Sequence, residues 1–232
     1  MVEKGLSWAN DQFWNTTYES SVPFSLRFMI DNGIVGMSWI TLPKDKYQMR
    51  PRQFKKCSTQ LEIDVIDYKA LNCHKSCEGK YQNIAPLRIL SFDIECLPDN
   101  GKFPTPDKDR IIQIGNICQV IGEEEPFVRN IFCLDSCAPI VGTQVFSFKK
   151  EEDMLVAWRE FVRLVDPDIL TGYNIINFDI NYIVLRGEAL GIPTFPYFGR
   201  VKDIPTRIKD TMVQSKSLGI RETKDINIEG RI

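Results

Sequence analysis

The spacing of apolar positions splits the chain into a first part with strand-like alternation and a second part where strands and helices follow one another. In residues 24–30, Phe24, Leu26, Phe28 and Ile30 alternate with other residues, and the turn Asp31-Asn32-Gly33 comes next. Residues 34–40 then read as the partner strand of a hairpin, and residues 61–66 as another alternating strand. The pattern predicts a β-rich segment over residues 1–80. The polar run from Asn72 to Lys80 and the pair Ala85-Pro86 mark a boundary.

Beyond it, residues 87–96 form a nearly continuous apolar strand, and residues 111–121 and 127–134 read as two more. The period then changes. Met154, Leu155, Trp158, Phe161, Val162 and Val165 fall on one face of a helix. Glu151, Glu152 and Asp153 occupy its first turn, where the helix dipole favours anions, and Asp166-Pro167 ends it. Residues 169–173 read as a short strand. A second helix is expected over residues 178–190, capped by Asn177 and closed by Gly191 and Pro193. Residues 210–220 and 225–232 return to strands around a turn near Gly219. The order is α/β: three strands, a helix, a strand, a helix, then strands again.

Composition narrows the reading. The 232 residues are 43% hydrophobic and 26% charged, which suits a soluble globular chain of one large domain or two small ones. Lys and Arg total 29 against 31 Asp and Glu, so bulk positive charge does not drive any nucleic-acid binding. A local basic stretch remains: Lys44, Lys46, Arg50, Arg52, Lys55 and Lys56, with Asp45 the only acid among them. It reads either as a phosphate grip or as a solvated loop. No apolar run reaches the roughly 18 residues of a membrane span, and the first residues lack a signal-peptide core. Seven cysteines at irregular spacing point to free thiols in a reducing compartment. Cys73-His74-x-x-Cys77 suggests half of a zinc site, but no second pair of ligands accompanies it.

The carboxylates carry more. Asp93 and Glu95 lie two apart on the apolar strand, so they share one face about 7 Å apart, while Leu90, Phe92 and Ile94 take the other. Two like charges there repel, and they are costly to bury unpaired. A hard divalent cation, Mg²⁺ or Mn²⁺, removes both problems; an exposed strand end removes the need for one. Asp179 closes the run Gly172-Tyr173-Asn174-Ile175-Ile176-Asn177-Phe178-Asp179 and opens the second helix. It either satisfies the helix dipole or supplies a third ligand.

Taken together, Phe92-Asp93-Ile94-Glu95 and Tyr173-Asn174-Ile175-Ile176-Asn177-Phe178-Asp179 resemble the first two exonuclease motifs of the family B DNA polymerases. The flanking Pro86-Leu87-Arg88-Ile89-Leu90-Ser91 and Asp166-Pro167-Asp168-Ile169-Leu170-Thr171-Gly172 extend the likeness. Thr17-Tyr18-Glu19-Ser20, Cys137-Ala138-Pro139-Ile140 and Glu222-Thr223-Lys224 are similar to its eukaryotic replicative members.

The resemblance implies a ribonuclease-H-like 3′–5′ exonuclease domain, a mixed sheet flanked by helices, over residues 86–232, preceded over residues 1–80 by part of a β-rich N-terminal domain. It implies hydrolysis of the 3′-terminal DNA phosphodiester with two metal ions. Asp93 would bridge both ions, Glu95 would bind the ion holding the attacking water, and Asp179 would serve the second. Asn174 and Phe178 would shape the site around the terminal nucleotide. The implied partners are the single-stranded 3′ end of a primer, the remainder of a polymerase chain and accessory polymerase subunits, in the nucleus and away from membranes.

The family's third motif, Y-x-x-x-D, is missing: none of the seven tyrosines has an acid four residues on. The chain is therefore expected to stop before that motif and to be inactive alone. A non-catalytic DNA-binding scaffold, or an unrelated ribonuclease-H-like nuclease acting on RNA, are the alternatives.

Overall fold

The computed structural model describes residues 21–75, 78–99, 101–215 and 219–232. Thr17-Tyr18-Glu19-Ser20 and Cys77 of the thiol pattern lie outside them. Contacts group the chain into two units, Met1–Gln48 with Ile63–Asn83, and Met49–Glu62 with Ile84–Ile232.

The first unit contains the helix α1 (Phe24–Asp31) and short strands. Residues 24–30 are thus helical, not the expected strand. Local signals outweigh the alternation. Pro23 sits at the N-cap, where its fixed φ suits a helix start. Phe24 stacks on Phe28, and Arg27 pairs with Asp31 at 2.9 Å, both at i,i+4 spacing. Asn32 bonds back to the Phe28 carbonyl, and Gly33 follows with φ 61°. The expected hairpin is accordingly absent. The strands β1 (Trp39–Thr41), β2 (Tyr47–Met49), β3 (Ile63–Val65) and β4 (Asn72–His74) pair as β1 with β4 and β2 with β3. His74 stacks on Tyr81, ring centroids 3.6 Å apart, and its Nε2 lies 3.0 Å from the Thr41 hydroxyl. The only histidine is therefore engaged in packing.

The second unit is built on a mixed five-stranded sheet. Its strands are β5 (Arg88–Leu97), β6 (Arg110–Val120), β7 (Val128–Leu134), β8 (Gln144–Phe148) and β9 (Ile169–Thr171), in the spatial order β8-β7-β6-β5-β9. β5, β6 and β7 are antiparallel neighbours, while β8 runs parallel to β7 and β9 parallel to β5. α2 (Glu151–Val165) and α3 (Asp179–Ala189) supply the buried Met154, Leu155, Trp158, Val162, Ile180, Ile183 and Val184, which form one core with Leu90, Phe92, Ile94, Ile111 and Ile114 of the sheet. At its centre Trp158 meets Phe92 at 5.2 Å and donates Nε1–H to the Asn116 side chain at 2.9 Å.

Several expectations shift. β8 was not foreseen. Glu151 lies in the first turn of α2 as expected, and it is buried there. Its carboxylate makes two bonds to Arg186, at 2.9 and 2.8 Å, and accepts the Ile111 N–H at 2.8 Å. α3 starts at Asp179 without a side-chain cap, and Asn177 donates instead to the Asn174 side chain. The last strands are β10 (Arg207–Ser215) and β11 (Gly219–Asn227), an antiparallel pair whose register places Gly219 in the second strand. Ile232 is no part of that pair; it exchanges backbone hydrogen bonds with Leu170 and Asp168 along β9.

Candidate active site

β9 is three residues long, and its ladder with β5 spans Ile89, Leu90 and Ser91. Carboxylates take over the edge of β5 on either side of it. Below, Asp168 accepts the Arg88 N–H at 2.8 Å; above, Asp179 accepts the Ile94 N–H at 3.0 Å. Gly172 makes this possible. A Cβ there would stand 2.5 Å from the Phe92 carbonyl oxygen and collide with the Ile175 side chain, so only glycine lets the loop lie against β5. The loop then turns tightly. Asn174 adopts φ 56°, its carbonyl accepts from Asn177 and Phe178, and the buried Ile175 anchors it.

Asp179 is 1% exposed. Burial pushes its carboxyl up to about 6; the nearby Asp93 adds to the rise, and the bonds from the Ile94 and Asp179 backbone N–H groups oppose it. Asp93 lies on the open face of β5, near enough to Asp179 to raise its carboxyl. Glu95 follows on that face, also exposed, just before a register shift between β5 and β6. Asp93 thus lies close enough to Asp179 to disfavour its charge. The structure does not gather Glu95 with them: among the described residues no three His, Cys, Asp or Glu side chains converge as a metal-holding group.

Across from Asp93 in the ladder stands Gly115, with nothing within 4 Å of where a Cβ would point. The open space belongs to a cleft of about 560 Å³ lined by Asp93, Gly115, Arg129 and Tyr173 among others. Asn174 is exposed beside it, its side-chain oxygen taken by Asn177. Phe178 is half-buried, its ring 5.4 Å from both Phe103 and Tyr182. Sequence reasoning missed two aromatics here: Tyr173, 93% exposed, and Phe103, 77% exposed. The signal for Tyr173 was present in the motif; Phe103 sits in a loop without periodicity. That loop is held from α3. The Tyr182 hydroxyl donates to the Asp109 carbonyl at 2.9 Å, and Arg186 to the Pro106 carbonyl at 3.1 Å. Beside it, burial pushes the Cys96 thiol up to about 12, so it stays protonated.

A buried carboxyl that already resists ionisation, with a second carboxyl near it on the wall of an open cleft, suits a hard cation. Residues 15–232 match the model of the family described as DNA polymerase family B, exonuclease domain. The chain belongs to this family. Its two carboxylate segments lie inside the matched span. The chain is 50% identical over 216 residues to a DNA polymerase delta catalytic subunit of Oryza sativa subsp. japonica, covering 93% of this chain and 19% of that protein. It is 49% identical over 216 residues to the Candida albicans subunit, covering 93% and 20%. With the Bos taurus subunit it shares 46% over 215 residues, 93% and 19%. The chain therefore spans about a fifth of the length of these relatives.

Proposed function

We propose that the chain supplies the 3′–5′ proofreading exonuclease region of a delta-like replicative DNA polymerase. Residues 86–232 form the exonuclease domain, and residues 1–80 belong to the N-terminal domain apart from the excursion 49–62. The carrying observation is that the buried Asp179 is seated on the Ile94 N–H, with Asp93 near enough to raise its carboxyl. Their hard oxygen donors, in a pair where burial and mutual repulsion disfavour two bare charges, fit Mg²⁺ or Mn²⁺. Asp93 and Asp179 would hold the ion, and Glu95 would join them once brought inward. When bound, such ions activate water and stabilise a leaving 3′-oxygen.

The chain's own residues do the rest. Gly172 fixes the loop so that Asp179 meets β5. Gly115 leaves room beside Asp93 for the terminal sugar. Phe178, backed by Phe103, and the exposed Tyr173 offer rings against which unpaired bases stack. The substrate is the single-stranded 3′ end of a primer. The partners are the remaining polymerase chain and accessory subunits, and the compartment is the nucleus. No helix among the described residues is long and apolar enough to cross a membrane.

Calorimetric titration of the 232-residue chain with Mn²⁺ tests the site, with 3′-end digestion of a single-stranded oligonucleotide as the second readout. Weak Mn²⁺ binding, lost in Asp93→Ala and in Asp179→Ala, is expected, with little or no digestion. Digestion should appear when the chain is extended to a third Y-x-x-x-D motif. Unchanged Mn²⁺ binding in a folded Asp93→Ala variant rejects the assignment. A folded, metal-loaded, extended chain that digests nothing favours the scaffold reading.

A further inference from the structure

The second unit carries another cavity, of about 550 Å³, that shares no lining residue with the cleft beside Asp93. One wall is a two-stranded splice: the Ser58 N–H donates to the Arg200 carbonyl and the Lys202 N–H to the Lys56 carbonyl, both at 2.8 Å, with Cys57 bridged to Val201. The other wall is α2, which presents Arg159 and Arg163 one turn apart on the same face.

The donors differ in availability. Arg159 is 11% exposed and bonded through all three nitrogens, Nε and Nη2 to Glu160 and Nη1 to the Thr194 carbonyl at 2.6 Å. Arg200 is committed to Asp166 and Asp168. Among the described residues Arg163 makes only a 3.4 Å contact to Glu160, and the Lys202 ammonium one bond, 3.2 Å, to the Lys55 carbonyl. Both keep protons to donate. With Arg159 and Arg200 paired to acids, the lining sets the two remaining cations, Arg163 and Lys202, against Asp203. Tyr197 adds a partly exposed ring and Ser58 a hydroxyl.

We propose that this cavity binds a free mononucleotide, its phosphate monoester held by Arg163 and Lys202 and its base laid on Tyr197. Cations gripping a phosphate make charge-assisted hydrogen bonds, the strong kind. A concavity of this volume falls in the range of small-ligand sites and holds one nucleotide, whereas a strand of nucleic acid needs a groove that continues. The site is independent of the chemistry proposed for Asp93 and Asp179.

The test is titration calorimetry of the 232-residue chain with deoxyadenosine monophosphate in EDTA, which silences any metal-dependent site. Deoxyadenosine and inorganic phosphate serve as separate arms. Binding is expected with the monophosphate and should be about tenfold weaker with either arm. Arg163→Gln and Lys202→Gln should each weaken it about fivefold to tenfold without shifting the melting temperature. Tyr197→Ala should erase the preference over inorganic phosphate, and Asp93→Asn should change nothing. The proposal is overturned by no binding up to about 10 mM, by full binding in the Arg163→Gln, Lys202→Gln double variant, or by loss in Asp93→Asn. Tighter binding of a single-stranded oligonucleotide, lost in the same double variant, would overturn it in favour of a strand.

Discussion

Asp179 accepts the backbone N–H of Ile94, so the helix that carries one carboxylate is tied to the strand residue between the other two, Asp93 and Glu95. Burial at that seat costs the acid its water, more than the Ile94 bond returns, and that cost is readable as pH dependence.

The Asp179 carboxyl titrates at about 6 in the fold against 3.8 for a free side chain. Below about pH 4 the proton is present in both folded and unfolded chains, and nothing is lost. Between about pH 4 and 6 the unfolded chain gives up its proton first, so stability falls as pH rises, by up to about 3 kcal/mol above that window. Asp179→Asn keeps an acceptor for Ile94 and removes the titration. Denaturant unfolding should find the variant more stable than the parent at pH 8 and equal to it at pH 4. A difference that is the same at both values would show that Asp179 is not the titrating group.

Gly172→Ala should destabilise by about 1–3 kcal/mol, the usual cost of overpacking. Ile175 can swing aside, but the Phe92 carbonyl belongs to a central strand and cannot. The loop must lift, and Asp179 lifts with it. Thermal unfolding measures the loss. An unchanged melting temperature would mean the loop has slack that its contacts do not suggest.

The Glu151–Arg186 pair has side chains only 4% and 7% exposed. Removing one partner strands a buried charge, so Arg186→Met should cost about 3–5 kcal/mol. The double change to Glu151→Gln with Arg186→Met should recover part of that, because glutamine still accepts the Ile111 N–H. A double-mutant cycle under denaturant reads the coupling; additive losses would contradict a direct bond.

The basic stretch separates into two kinds of residue. Arg50 pairs with Glu62 at 2.9 Å, and Lys46 lies 3.7 Å from Asp67. Glu62 also accepts the Lys56 and Cys57 N–H groups, and its bond from the Cys57 thiol heads the causes that hold it below the usual carboxylate range. Arg50→Ala should therefore lower the melting temperature. Lys44→Ala with Arg52→Ala should leave stability alone and act only on binding, flattening the salt dependence of single-stranded DNA affinity. If affinity does not change, these two cations are merely solvated.

Much of the second unit was legible because burial imprints a period. The face of α2 read correctly from Met154 to Val165, and alternation put Asp93 and Glu95 opposite Phe92 and Ile94. What escaped depends on partners distant in sequence. Glu151 looks like any first-turn acid until Arg186, 35 residues away, closes on it. The splice of residues 56–58 onto 200–202 uses backbone groups, which carry no side-chain signature. In the first unit, alternation over residues 24–30 competed with a proline start and i,i+4 pairs, and no buried face existed to arbitrate. The candidate site was partly legible: alternation put Asp93 and Glu95 on one face of β5, but the seat of Asp179 on the Ile94 N–H, 85 residues away, leaves no mark in the spacing.

The brevity of β9 sets the position of the acid that follows it. A ladder continued for two more residues would hand the Ile94 N–H to a backbone carbonyl, and Asp179 would lose its seat against β5. Chain length in that one strand is thus a measuring stick for chemistry: an insertion between Thr171 and Gly172 should displace the carboxylate from the Ile94 N–H by a full residue step.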